Sequence, residues 1–145
     1  MSASTSPEAA PPDMAFLIVQ RNERTGAFFD AAKNDVFLAQ HCTACGHWTA
    51  PAPHACLACR SEALEWGPVS GAATVVSWTV IHPRPGADVA PGVVIMGELE
   101  EGPWVNLRLI GATAEQLGRA TPLCIAFLHP AEGESIPVFH LDRPV

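Results

Sequence analysis

From Gly71 onward, apolar and polar positions alternate in short runs separated by turn residues, the pattern of a small antiparallel β unit. Gly71 opens a run in which Thr74, Val76, Trp78 and Val80 are expected to share one face. Gly92 opens a second, with Val93, Ile95 and Leu99 on one face and Met96, Glu98 and Glu100 on the other. Glu101-Gly102-Pro103 reads as a turn into a third run, where Val105, Leu107 and Leu109 alternate with Asn106 and Arg108. Pro122–Leu128 and Ile136–Leu141 supply two more strands. Between the third and fourth, Thr113-Ala-Glu-Gln116 matches a capping box and predicts a short helix that Gly118 can end. Five short strands with a helix at that point suit an OB-fold barrel, though other small barrels share the pattern.

Upstream, Arg24–Lys33 reads as a short helix with Phe28, Phe29 and Ala32 on one side and Thr25 or Asn22 as its cap. Two uses of the Phe pair are open: packing the helix on its own domain, or docking a partner, with docking slightly preferred. Val36–Gln40 follows as a strand. Residues 1–23 are expected to form a disordered or extended leader. Met1–Asp13 is small, polar and Pro-rich, without the basic and apolar regions of a secretory signal. A cytoplasmic protein with reduced thiols is therefore expected.

Four of the five cysteines fall into Cys42-Thr-Ala-Cys45 and Cys56-Leu-Ala-Cys59, two C-x2-C pairs with ten residues between them. Two intervening residues let one tight turn aim both sulfurs at a common point, and two such turns supply the tetrahedral thiolate set of a zinc site. Gly46 stands where the first turn needs positive φ. Pro51 and Pro53 disfavour the helix that a thioredoxin-type redox motif would open. His41, His47 and His54 flank the pairs, but four cysteines already fill the sphere. A closed sphere of this kind has no open position for water, so the zinc is expected to be structural.

The chain has 145 residues and a formal net charge of -7, with 8 Lys+Arg against 15 Asp+Glu. That length leaves no room for a substrate domain beside a separate catalytic domain. The acidic balance disfavours a nucleic-acid binder, because phosphate neutralisation needs clustered positive charge. Hydrophobic residues make up 48% of the chain, enough for a packed core, and no apolar run is long enough to cross a membrane as a helix.

The order of these parts carries a resemblance. A short aromatic helix, Leu38-Ala-Gln-His-Cys-Thr-Ala-Cys-Gly46, Cys56-Leu-Ala-Cys59, the junction Trp66-Gly-Pro-Val-Ser-Gly71 and the late Ile136-Pro-Val-Phe139 together resemble the DUF35 family over about residues 24 to 141. Leu57 stands where family members often have proline, and His54 lies in a region where they often have arginine. The resemblance implies a mainly β chain: an N-terminal helix and rubredoxin-like zinc ribbon over 24–66, then a five-stranded OB-fold barrel over 67–145. It further implies an accessory role beside a thiolase-like catalytic subunit that makes or breaks carbon–carbon bonds in acyl-CoA metabolism. The small subunit would then be a scaffold that helps bind the CoA thioester.

No catalytic residue is expected in this chain. Cys124 reads as a core thiol, and His82, His129 and His140 show no spacing that compels a dyad. For CoA contacts, the candidates are Arg60 after the last knuckle, Arg84 in the loop His82 to Gly86, and Trp78 as a stacking surface for adenine; Arg108 is a further strand arginine. Two other classes compete with the accessory-subunit reading. One is a single-stranded nucleic-acid binder, which the charge disfavours. The other is a stand-alone acyl-CoA-binding or thioesterase-like protein.

Overall fold

The computed structural model describes residues 19–51, 53–86 and 91–142. Helix α1 spans Gly26–Ala32, and strands β1 (Leu38–Cys42), β2 (Trp48–Thr49) and β3 (Leu64–Pro68) form a three-stranded antiparallel sheet in the order β2-β1-β3. Strands β4 (Ala72–Ile81), β5 (Gly92–Leu99), β6 (Trp104–Arg108), β7 (Pro122–Leu128) and β8 (Ile136–Leu141) form a second sheet in the order β6-β5-β4-β7-β8. The helix expected after the third strand of this sheet is a single 3-10 turn, Ala114–Gln116, where the Gln116 side-chain carbonyl accepts from the Thr113 N–H at 3.0 Å. Among the described residues, no helix is long and apolar enough to cross a membrane.

The five-stranded sheet curls without closing into the expected barrel. Its two edges meet at one end, through a parallel bridge between Leu109 and Phe139 and the Ile110 N–H donating to the Phe139 carbonyl at 2.9 Å. Toward the start of β6 the edges separate, and a cleft lined by Phe28, Phe37, Trp104, Asn106 and Pro137 lies between them. Pro137 has no N–H with which to extend a ladder there. Gly97 of β5 sits where the ring of Phe139 from β8 crosses the sheet. A Cβ at that position would lie 2.6 Å from the Phe139 ring, so glycine lets the ring of β8 cross onto β5.

The alternation expected in β5 and β6 holds, but β4 departs from its expected face. Ala73 and Val75 are buried while Thr74 is exposed, and a register shift between Val75 and Ser77 then puts Trp78 opposite Ile95 and Val80 opposite Val93. An extra residue at a bulge moves later side chains to the other face. Only the half after the bulge therefore follows the expected pattern.

Phe28 and Phe29 are buried, which overturns the docking reading. They belong to one core with Phe37, Val75, Ile95, Leu123 and Phe139. Phe28 packs edge-on against Phe29 and Phe37, with centroids 5.1 and 5.2 Å apart, and against Trp66 at 6.4 Å. A seven-residue helix gains little stability alone, so burial of this face is what holds it.

Residues 1–18 of the expected leader lie outside the described residues. Val19 accepts from the Glu134 N–H at 2.7 Å, and Arg21 joins Glu134 at 2.7 and 3.1 Å and Asp30 at 2.7 Å. This clamp ties the chain ahead of α1 to the loop before β8. The Arg21 guanidinium holds the Glu134 carboxyl below the ordinary glutamate value.

Candidate metal centre

Each C-x2-C pair folds into the same turn. In the first, the Cys42 N–H donates to the His47 carbonyl at 2.9 Å and the Gly46 N–H to the Cys42 carbonyl at 2.8 Å. In the second, the Cys56 N–H donates to the Ser61 carbonyl and the Arg60 N–H to the Cys56 carbonyl, both at 2.8 Å. Gly46 and Arg60 occupy matching positions with φ of 84° and 67°. The second knuckle thus places an arginine where glycine is the least strained choice.

These turns bring the four sulfurs together, all within 4.8 Å of one another, with Cys42 and Cys56 buried and Cys45 and Cys59 exposed. Cys42 Sγ lies 3.7 Å from Cys59 Sγ, and Cys45 Sγ lies 3.6 Å from Cys56 Sγ. A disulfide needs an S–S distance of about 2.05 Å, so these are separate thiols. With Zn–S bonds of about 2.3 Å, a tetrahedron of thiolates has edges of roughly 3.8 Å, close to the observed spacing. The residues therefore fit a structural zinc ion.

The electrostatics agree with that fit. The Cys59 and Ala58 N–H groups point at Cys56 Sγ, 3.5 and 3.4 Å away, and the Cys59 N–H in particular brings the Cys56 thiol down to about 6. At Cys45 the His47 N–H also favours the thiolate, but desolvation and the neighbouring sulfurs outweigh it and push the thiol up to about 12. A dication would supply the positive charge that offsets the repulsion among four thiolates held this close. The flanking histidines stay outside the cluster, with the His41 ring on Trp48 at 4.8 Å.

The three residues expected to meet CoA lie on the ribbon, on β4 and in the loop after β4. Arg60 is exposed on the ribbon; Trp78, 38% exposed, lies on β4, and Arg84 is exposed in the loop after it. Two side-chain groupings went unseen in the sequence. Cys124 and His140 are cross-strand partners with Sγ and Nε2 3.1 Å apart, but burial, then the charge of Asp142, raises the Cys124 thiol, which disfavours a nucleophile. His129 hydrogen-bonds Ser135 Oγ at 2.7 Å through Nδ1 and Asp35 at 2.8 Å through Nε2. Ser135 is only 6% exposed, so this row ties the α1–β1 connection to the β7–β8 loop and does not offer a reachable hydroxyl.

A four-thiol knuckle pair on a three-stranded ribbon, packed through a common core onto a curled OB-like sheet, defines a zinc-ribbon/OB protein. Residues 29–65 match the family described as ChsH2, rubredoxin-like zinc ribbon domain, and residues 66–127 match ChsH2, C-terminal OB-fold domain. The chain belongs to the DUF35 family. Among solved structures it is similar to a chain of "Ltp2-ChsH2(DUF35) aldolase", with a TM-score of 0.71 and 28% identity over 83% of this chain and 96% of that one. A DUF35 protein of unknown function from Sulfolobus solfataricus shares the fold, with a TM-score of 0.58 and 19% identity over 83% and 85% of the two chains. A curated relative from Thermomonospora curvata, named "Probable enoyl-CoA hydratase alpha subunit", is 30% identical over 127 residues, 85% of this chain. The match spans 39% of that relative's length.

Proposed function

We propose that this chain is the zinc-bearing, non-catalytic subunit of a thiolase-type acyl-CoA enzyme, holding the catalytic subunit in its working assembly and helping to bind the CoA thioester. The observation that carries the reading is the similarity to a chain of a DUF35-containing aldolase over 96% of that chain. The relative named as an enoyl-CoA hydratase subunit adds a second link to acyl-CoA chemistry. Within this chain, the four cysteines would hold a closed zinc sphere whose work is folding. The bond chemistry would belong to the partner.

Co-expression with a candidate thiolase-like catalytic subunit tests the reading. A hetero-oligomer should purify, and acyl-CoA cleavage or condensation should fall by at least about tenfold when this chain is left out, a loss of about 1.4 kcal/mol in transition-state stabilisation. A catalytic subunit that is fully active alone would refute the accessory role.

A further inference from the structure

Strand β4 outlasts its neighbour β7. The ladder with β7 covers Ala72–Thr74 only, and the last bonds on that side join Val75 to the backbone of Ala120 and Thr121. Beyond the bulge, β4 runs on to Ile81 paired with β5 alone, and among the described residues no strand lies along its other side. The Val93 carbonyl accepts from the Leu109 N–H, so Val93 faces β6, and by alternation Gly92, Val94 and Met96 face β4. Their partners Ile81, Thr79 and Ser77 are therefore bonded to β5, which leaves the N–H and C=O groups of Trp78 and Val80 pointing outward. Edges of this kind are ordinarily blunted by a charge, a proline or a bulge. Ser77-Trp-Thr-Val-Ile81 has none of these, since the bulge lies before it and the first proline after it is Pro83. Ser77, Trp78, Thr79 and Ile81 are all exposed.

We propose that this edge is an interface between two copies of the chain, their β4 strands running antiparallel about a two-fold axis at Thr79. The strand is complementary to itself in that register. Trp78 of each copy faces Val80 of the other, and because both turn their backbone outward, each such pair exchanges two hydrogen bonds. Thr79 meets Thr79, and Ser77 meets Ile81. Aromatic with β-branched, and threonine with threonine, are favourable cross-strand pairs. Charge selects the same edge. A net charge of -7 opposes contact between the acidic surfaces of two copies. Ala72–Ile81 carries no charged side chain, so pairing there sets no like charges opposite each other. The free side of β6, by contrast, is already bridged to β8 at Leu109. The pairing does not depend on the accessory-subunit reading.

Analytical ultracentrifugation of the zinc-loaded full chain tests the pairing. Two short strands bury less than a standard interface, so the dimer should dissociate in the micromolar range and predominate at about 100 µM. Thr79→Lys places two ammonium groups face to face from an exposed position and should weaken the dimer at least about tenfold. Thr79→Cys in a glutathione redox buffer should yield a disulfide-linked dimer. Opposed residues of a pair without hydrogen bonds lie about 4.5 Å apart at Cα, within disulfide range. Ser77→Cys should not crosslink, because the two copies of that residue stand about 13 Å apart along the strands. A dimer that Thr79→Lys leaves intact, or equal crosslinking of the two cysteine variants, would overturn the register and with it the interface. An unaltered chain that stays monomeric at about 100 µM would overturn the second copy as occupant and leave the edge to a strand of the catalytic subunit. That measurement decides the question even if a variant does not fold.

Discussion

Replacing Gly97 by alanine tests whether the curl of the five-stranded sheet depends on the Phe139 ring crossing bare backbone. The added Cβ would lie 2.6 Å from Phe139 Cζ and 2.9 Å from Cε2, against ordinary carbon contacts of about 3.5–4.0 Å. The ring must therefore retreat by roughly 1 Å. It has nowhere to go, since Phe139 and its neighbour Leu123 are each 0% exposed. Overpacking of this kind costs about 1–3 kcal/mol. Alanine's smaller unfolded-state freedom offsets about 0.5–1 kcal/mol of that. At the middle of these ranges the net loss is about 1 kcal/mol, which should lower the urea midpoint by about 0.5 M. Phe139→Leu alone also destabilises, by leaving a cavity, but in the double variant the new methyl finds that space. The two losses should fall short of additivity by about 1 kcal/mol or more. Additive losses, or a Gly97→Ala variant within 0.5 kcal/mol of the parent chain, would show that the ring and the glycine do not control each other.

Elemental analysis should find one zinc per chain, and Cys42→Ser should remove the metal together with the ordered ribbon; folded, metal-free protein would refute the site. Because protons compete with the cation for thiolates, metal loss should appear as pH is lowered and not as it is raised. The clamp at Glu134 gives a second pH dependence. Arg21 holds this carboxyl below its ordinary value, so its contribution is complete above the unfolded glutamate value of about 4.3 and is lost as pH falls through the folded one. Glu134→Gln should flatten the acid limb of the melting temperature against pH, and parallel profiles for the two proteins would contradict that.

The parts legible in the sequence are those whose geometry is local. The knuckles are read from spacing because each is closed by bonds spanning only a few residues, Cys42 to His47 and Cys56 to Ser61. The faces of β5 and β6 follow from simple alternation. The bulge in β4 was not legible, because it is fixed by register against β5 and leaves no mark in the composition of Val75 to Ser77. Nor were the ties Arg21–Glu134 and Asp35–His129, whose partners stand 113 and 94 positions apart. The unsatisfied Gln40 carbonyl belongs with these. Nothing in Leu38-Ala-Gln-His-Cys42 tells that Gln40 Oε1, mid-strand, is buried without a hydrogen-bond partner, as is Thr49 Oγ1 across from it. The burial of Phe28 and Phe29 was open in the sequence because a short aromatic helix serves a core or a partner equally well until its neighbours are placed.

The seam between the two family matches runs between residues 65 and 66, and the division expected from the sequence lies between 66 and 67; both fall inside β3, Leu64–Pro68. That strand pairs with β1 along its whole length, from Leu38 opposite Pro68 to Cys42 opposite Leu64. A cut at the seam would split one strand of the ribbon sheet, removing Trp66 and the pairs that hold Leu38 to Gln40 while leaving those beside the metal. The two halves therefore cannot be traded independently among proteins as finished modules. Recombination that keeps this strand whole must carry ribbon and sheet as a single heritable block.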